Sequence, residues 1–232
     1  MQPIEALLLE PVGCLAEFPS APFHEIAVHL FGLKGKPISS ASRSYWRLLN
    51  LMDSAETPID KEKKNLAETL EVEAVDIASI YEDVVPALAE LKFMGIRIFV
   101  ASSLSRKAVS RFIVRNSLGD LLSGVCTRDD AGGVKSAPLV SALNGASLTR
   151  EKTMFLTDTL EGIKTARSAG VHPILMMNDP DEAQRLAMHN PAGGVVSLHE
   201  MPDFIRLIAV QFERGRPGGK DLKIQEKFGS PG

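Results

Sequence analysis

At 232 residues the chain is long enough for one large domain carrying a modest insertion. Its 44% hydrophobic and 24% charged residues are those of an ordinary globular protein, and a net charge of −3 without a Lys/Arg stripe argues against a nucleic-acid footprint. No apolar run approaches the ~20 residues needed to cross a bilayer, and the absence of a basic segment ahead of the first apolar stretch argues against a signal peptide.

The mostly apolar run Ile4–Leu9 predicts a buried strand that ends on Glu10, with Gly13 three positions on for a tight turn. A carboxylate so placed sits at the carboxyl edge of a sheet, where open α/β folds bind ligands. Residues 16 to about 80 read as helical, with no strand among them. Phe23, Ile26, Ala27 and Leu30 share one face of a helix that stops at Gly32. Tyr45, Trp46, Leu49 and Met52 mark a second helix, with Tyr45 and Trp46 as core anchors. Thr57, Pro58 and Asp60 form a capped start for a third, which reaches Leu66 and Leu70. An all-helical insertion behind a first strand belongs over the strand ends as a cap, where it excludes water and selects substrates.

From residue 81 the pattern alternates. A helix through Val84, Leu88 and Leu91 ends at Gly95, and Ile96–Ala101 is a β-rich strand followed by Ser102 and Ser103. Ser105 caps a helix whose inner face is Ala108, Val109, Phe112 and Ile113. Strands are expected at 124–127, 153–157, 172–175 and 194–197, with helices at 138–144, behind Asp158 to Gly170, from Asp179-Pro180, and at 202–212. This alternation calls for an α/β fold: a Rossmann-like parallel sheet sandwiched by helices. The expected boundaries are 1–15 and 81–212 for the core, 16–80 for the helical cap, and 213–232 for a flexible Gly/Pro/Lys-rich tail. Cys14 and Cys126, the only cysteines, fall in apolar surroundings at strand ends and suit a reducing cytoplasm.

Four positions at strand ends now stand in order. Glu10-Pro11-Val12-Gly13-Cys14-Leu15 resembles the D-x-D-G-T-L strand end of the haloacid dehalogenase-like superfamily, in particular its phosphoglycolate-phosphatase-like branch with a helical cap. Ser102 ahead of a Ser-capped helix resembles the second motif, and Lys135-Ser136-Ala137-Pro138 resembles the K-P-x-P segment. Thr157-Asp158-Thr159-Leu160-Glu161-Gly162-Ile163, with Ala166, Ala169 and Gly170, is similar to G-D-S-x-x-D-I-x-x-A-x-x-A-G.

The resemblance implies a role for each position. Glu10 stands where an aspartate attacks phosphorus, and Val12 where a second aspartate moves the proton. Ser102 would bind a phosphoryl oxygen, and Lys135 would neutralise charge on the nucleophile and the phosphoryl group. Mg²⁺ would be held by Glu10, the Val12 backbone carbonyl and Asp158, and the substrate would be a small phosphorylated metabolite. Three parts depart from the pattern. Val12 cannot transfer a proton, which is worth ~10²–10⁴-fold. Glu10 is one methylene too long, and a displacement of ~1 Å costs ~10²-fold. Gly162 removes the second acid of the fourth motif, and Mg²⁺ binding is weakened or lost with it.

The sequence therefore implies a catalytically degenerate hydrolase, a pseudoenzyme that keeps a phosphate or Mg²⁺ pocket. Two alternatives stand beside it: a hydrolase of altered chemistry that uses Glu10, and a structural or interaction domain. Asp158 has the simpler alternative of an N-cap, Ser102 and Ser103 of turn residues, Lys135 of a solvated loop lysine, and Arg106 of a surface charge.

Overall fold

In the computed structural model, residues 4–55, 59–178 and 180–213 are described. The chain opens with β1 (Ala6–Leu9), a kinked turn α1 (Pro11–Cys14) and β2 (Ala16–Glu17). Helices α2 (Ala21–Phe31), α3 (Ala41–Asp53) and α4 (Lys61–Ile77) follow, and β3 (Ser79–Ile80) closes the insertion. The remainder alternates: α5 (Val84–Phe93), β4 (Arg97–Ser102), α6 (Arg106–Arg115), β5 (Gly124–Thr127), α7 (Arg128–Ala131) and α8 (Ser136–Gly145). Then come β6 (Thr153–Thr157), α9 (Leu160–Ala169), β7 (His172–Met176), α10 (Pro180–Ala187), β8 (Gly193–Val195) and α11 (Met201–Glu213).

Six strands form one parallel sheet in the order β5-β4-β1-β6-β7-β8. β1 is central, with Leu9 in register with Val100 on one side and Leu156 on the other. All four of its residues are buried because both sheet faces are covered. Leu7 and Leu9 pack into the core that runs up into α2 and α3, whereas Ala6 and Leu8 pack on the opposite face against α8 and α9. A strand buried on both sides reads as a continuous apolar run rather than an alternating one. The helices of the insertion have no core of their own: Phe23, Ile26, Tyr45 and Leu49 join the cluster of Leu9 and Val12.

The sequence reading needs a few corrections here. The 16–80 stretch does contain strands, since Ala16 pairs with Ile80 and Glu17 with Ser79 in an antiparallel tie across the entry and exit of the insertion. Two-residue strands carry too little pattern to show in a sequence. Asp60 does cap α4, accepting from the Lys63 N–H at 2.9 Å, while Thr57, Pro58, Asp179 and the tail 214–232 lie outside the described residues. Ser105 caps α6, and Gly32 and Gly170 end α2 and α9 in the left-handed conformation. Asp158 is not an N-cap; Thr159 takes that place and accepts from the Gly162 N–H at 3.2 Å.

Candidate active site

Glu10, Ser102, Thr127 and Thr157 end or follow neighbouring strands, so the parallel sheet itself gathers the candidate residues at its carboxyl edge. Behind Glu10 the chain turns sharply. Val12 is extended and Gly13 takes φ 77°, after which the Leu15 N–H returns to the Pro11 carbonyl at 3.1 Å. Gly13 is required twice over. Its φ disfavours any side chain, and a Cβ there would fall 2.1 Å from Asp158 Oδ2 and 2.2 Å from Ser42 Oγ. Val12 is buried in the core and offers the turn only its backbone.

Glu10 is 4% exposed. Its carboxyl accepts from the Tyr45 hydroxyl at 3.1 Å, from the Ser103 N–H at 3.3 Å, and from the Ser102 hydroxyl. Burial raises its pKa to about 8, against the opposing pull of those three donors, and the nearby Asp158 charge adds to the rise. The Tyr45 phenol is likewise pushed up, by burial first and then by the Glu10 charge.

Lys135 is present at this edge, but its ammonium pairs with Asp53 at the end of α3, at 2.9 Å. Its backbone is held at φ 59°, ψ −109°, and its N–H donates to Ser103 Oγ at 2.7 Å. Asp158 accepts a hydrogen bond from Ser42 Oγ in α3. Arg106 pairs with Asp130 and is a surface charge. Tyr45 and Trp46 are both buried core anchors, as read from the sequence, although the role of the Tyr45 hydroxyl was not foreseen.

Two further residues escaped the sequence reading. Glu71, on the inner face of α4, is 1% exposed; it accepts from the Ser105 N–H at 3.0 Å and pairs with Arg128, which also donates to the Ser103 carbonyl at 3.1 Å. The signal was available. A glutamate stands on a helix face otherwise made of Ala67, Leu70 and Ala74, and a charge is seldom buried without a partner.

The sequence profile described as haloacid dehalogenase-like hydrolase matches residues 27–176. The chain belongs to that family. Among curated proteins, an enolase-phosphatase E1 from Danio rerio is 30% identical over 96 residues, which is 40% of this chain and 37% of that protein. The chain thus spans less than half the length of the curated relatives it matches. A haloacid dehalogenase-like hydrolase from Streptococcus pneumoniae has a similar fold, with TM-score 0.66, 15% identity, and 88% of this chain and 99% of that one covered. CbbY from Rhodobacter sphaeroides, solved with phosphate, gives TM-score 0.62 at 20% identity over 85% of this chain and 96% of its own.

Phosphatases of the haloacid dehalogenase-like family generally use Mg²⁺, which takes near-octahedral oxygen ligands. The residues here do not fit that demand. The Glu10 carboxyl already receives three donors, and Asp158 Oδ2 receives Ser42. The direction from which a side chain at position 162 would reach in is filled by Thr157, whose Oγ1 would lie 1.7 Å from a Cβ on Gly162. Among the described residues no group of three His, Cys, Asp or Glu side chains could hold a metal ion. No described helix is long and apolar enough to cross a membrane.

Proposed function

We propose that this chain is a catalytically degenerate haloacid dehalogenase-like protein that acts in the cytoplasm by binding rather than by turnover. One observation carries the reading: each polar side chain at three catalytic positions is held by a side chain of α3. Tyr45 holds Glu10, Ser42 holds Asp158 and Asp53 holds Lys135. In this reading residues 16–80 are the cap, 1–15 and 81–212 the core, and the cap stays closed on the site.

Chemistry at the site meets several barriers at once. With a pKa of about 8, Glu10 is mostly neutral at pH 7, and a carboxylic acid is a poor nucleophile. Val12 provides no proton, a deficit of ~10²–10⁴-fold. The Lys135 ammonium is engaged on Asp53, so its charge is spent on holding the cap. Ser102 and Lys135 are what a weak phosphate site would use, and a small phosphorylated metabolite would have to displace Tyr45 and Asp53 to reach them. Mg²⁺ binding is lost in this reading.

The test is Mg²⁺-dependent hydrolysis of p-nitrophenyl phosphate and a panel of phosphorylated metabolites, run on the native protein and Glu10→Gln. Neither is expected to exceed the buffer rate. Turnover in the native protein that disappears in Glu10→Gln would overturn the reading and assign the altered chemistry to Glu10.

A further inference from the structure

Among the described residues, four ion pairs join the helices of the insertion to the rest of the chain: Asp53–Lys135, Glu68–Lys107, Glu71–Arg128 and Asp76–Arg111. In each the acid lies in α3 or α4 and the base lies outside the insertion. Lifting these two helices removes acids and uncovers bases, a polarity that favours an anion in their place. The Lys107 and Arg111 side chains are more than half exposed, and pairs of that kind contribute little. Arg128 differs, because its side chain is 13% exposed and that of Glu71 only 1%.

The Glu71 carboxylate lies in a built cradle. One oxygen receives the Arg128 guanidinium, and the other receives the Ser105 N–H at 3.0 Å, ahead of α6. Arg128 also donates to the Ser103 carbonyl at 3.1 Å. Ser103 in turn ties the cradle to the candidate site. Its N–H donates to Glu10 at 3.3 Å, and its hydroxyl accepts from the Lys135 N–H at 2.7 Å. With Glu71 gone, the carboxylate left to the guanidinium is that of Asp129. It lies 4.0 Å from Nε, and it also accepts from the Arg106 N–H.

We propose that Arg128 and the Ser105 N–H form an anion-binding subsite that α4 blocks with its own Glu71 carboxylate. The proposal rests on reading this sheet edge as a binding site closed by α3 and α4. The ligand group is an oxyanion, a carboxylate or a phosphate of a small molecule. Glu71 shows what the cradle accepts, since a planar guanidinium with a backbone N–H beside it suits two anionic oxygens. An external anion and the Glu71 carboxylate then compete for the same donors. The closed position of α4 is therefore autoinhibitory, and an anion that takes the cradle loosens α4.

The experiment is titration calorimetry on the full chain with inorganic phosphate and with malonate, which separate the two sources of the oxyanion. Glu71→Gln keeps an acceptor for the Ser105 N–H but removes the competing charge, and thermal melts establish that it is folded. At least one of the two anions should bind it ~10-fold or more tightly than it binds the native protein. That gain should vanish in Glu71→Gln/Arg128→Gln and persist in Glu71→Gln/Lys135→Gln. No gain for either anion overturns the inference, as does a gain that survives Arg128→Gln. A gain lost in Lys135→Gln overturns it too, because the anion then sits elsewhere on the edge. Amide hydrogen exchange on the native protein gives a reading that needs no variant. Exchange across α4 should quicken in 0.1 M phosphate or malonate relative to chloride at equal ionic strength, and unchanged exchange in both overturns the inference. Turnover in the hydrolysis assay would overturn the binding reading and leave the Arg128 result standing, whereas absence of the gain would leave that reading untouched.

Discussion

Thr157 stands in the space that a side chain at position 162 would need: a Cβ on Gly162 would meet Thr157 Oγ1 at 1.7 Å and Thr157 Cβ at 2.7 Å. Two of the departures from the G-D-S-x-x-D pattern, those at positions 157 and 162, are therefore one packing event. A threonine at the glycine position fills the hole left by a glycine at the acid position. Gly→Ala within a helix ordinarily stabilises by ~0.5–1 kcal/mol. Here Gly162→Ala should instead destabilise by ~1–3 kcal/mol, the cost of overpacking. In a Thr157→Gly background the sign should reverse. Urea unfolding of the four proteins measures this, and a stabilising Gly162→Ala in the native background would refute the shared packing.

Glu10 makes stability depend on pH. Burial raises its carboxyl from 4.5 to about 8. The unfolded chain loses this proton near pH 4.5 and the folded chain only near pH 8, so between those values the native state holds more protons and stability falls as pH rises. The benefit of the neutral carboxyl is whole below pH 4.5 and gone above about pH 8. At ~1.4 kcal/mol per unit the loss is on the order of a few kcal/mol. Glu10→Gln should flatten that window and overtake the native protein at its alkaline end. Urea midpoints from pH 4.5 to 9 decide it; parallel curves for the two proteins would count against a buried neutral Glu10.

The fold was legible because its signals are local. β6 runs from Thr153 to Thr157 as read, since a buried parallel strand is a short apolar run between polar ends. Ser105 was legible as a cap because a serine before an apolar stripe satisfies an orphan N–H. Glu10, Ser102 and Asp158 do meet at one sheet edge, as their positions at strand ends implied. The closure of the site was not legible. Nothing near Lys135 in the chain says that its ammonium goes to Asp53, 82 residues away, or that its backbone adopts a positive φ. Tyr45 could be placed in the core by periodicity, but its hydroxyl finds Glu10 only through the path of the insertion over the sheet. Contacts between elements distant in sequence are set by tertiary geometry, and a single sequence carries no local trace of them.

Glu71 and Arg128 bind α4 to the loop behind β4 more tightly than a surface pair would. Glu71 is 1% exposed and the Arg128 side chain 13%. Glu71→Leu leaves a largely buried guanidinium unpaired and the Ser105 N–H without its acceptor, at a cost of ~3–5 kcal/mol. Glu71→Leu combined with Arg128→Met removes both charges and retains only the ~1–3 kcal/mol of the orphaned N–H. The double variant should therefore be more stable than Glu71→Leu alone. A double-mutant cycle in urea tests this, and additive losses would mean that the two charges are not coupled.

Tyr45 links the cap to the carboxyl of Glu10, and its removal has two separable consequences. The tyrosine is fully buried and its hydroxyl donates to Glu10 Oε2 at 3.1 Å. Tyr45→Phe keeps the ring packed against Phe23 and Trp46 and deletes only that donor. Loss of one buried hydrogen bond costs ~1–2 kcal/mol, or a melting temperature lower by ~2–8 °C for a chain of this size. The hydroxyl also favours the ionised carboxyl, so its loss should push the Glu10 pKa above its present value of about 8. The pH at which stability stops falling then moves upward, a change that a loss of packing alone would not produce. Melting curves at pH 6 to 10 on native, Tyr45→Phe and Tyr45→Phe/Glu10→Gln proteins separate the two effects. An unshifted pH profile in Tyr45→Phe would mean that the hydroxyl and the carboxyl do not meet in solution, and that the helices over the site are held by their apolar packing and their other polar links, Ser42 to Asp158 and Asp53 to Lys135.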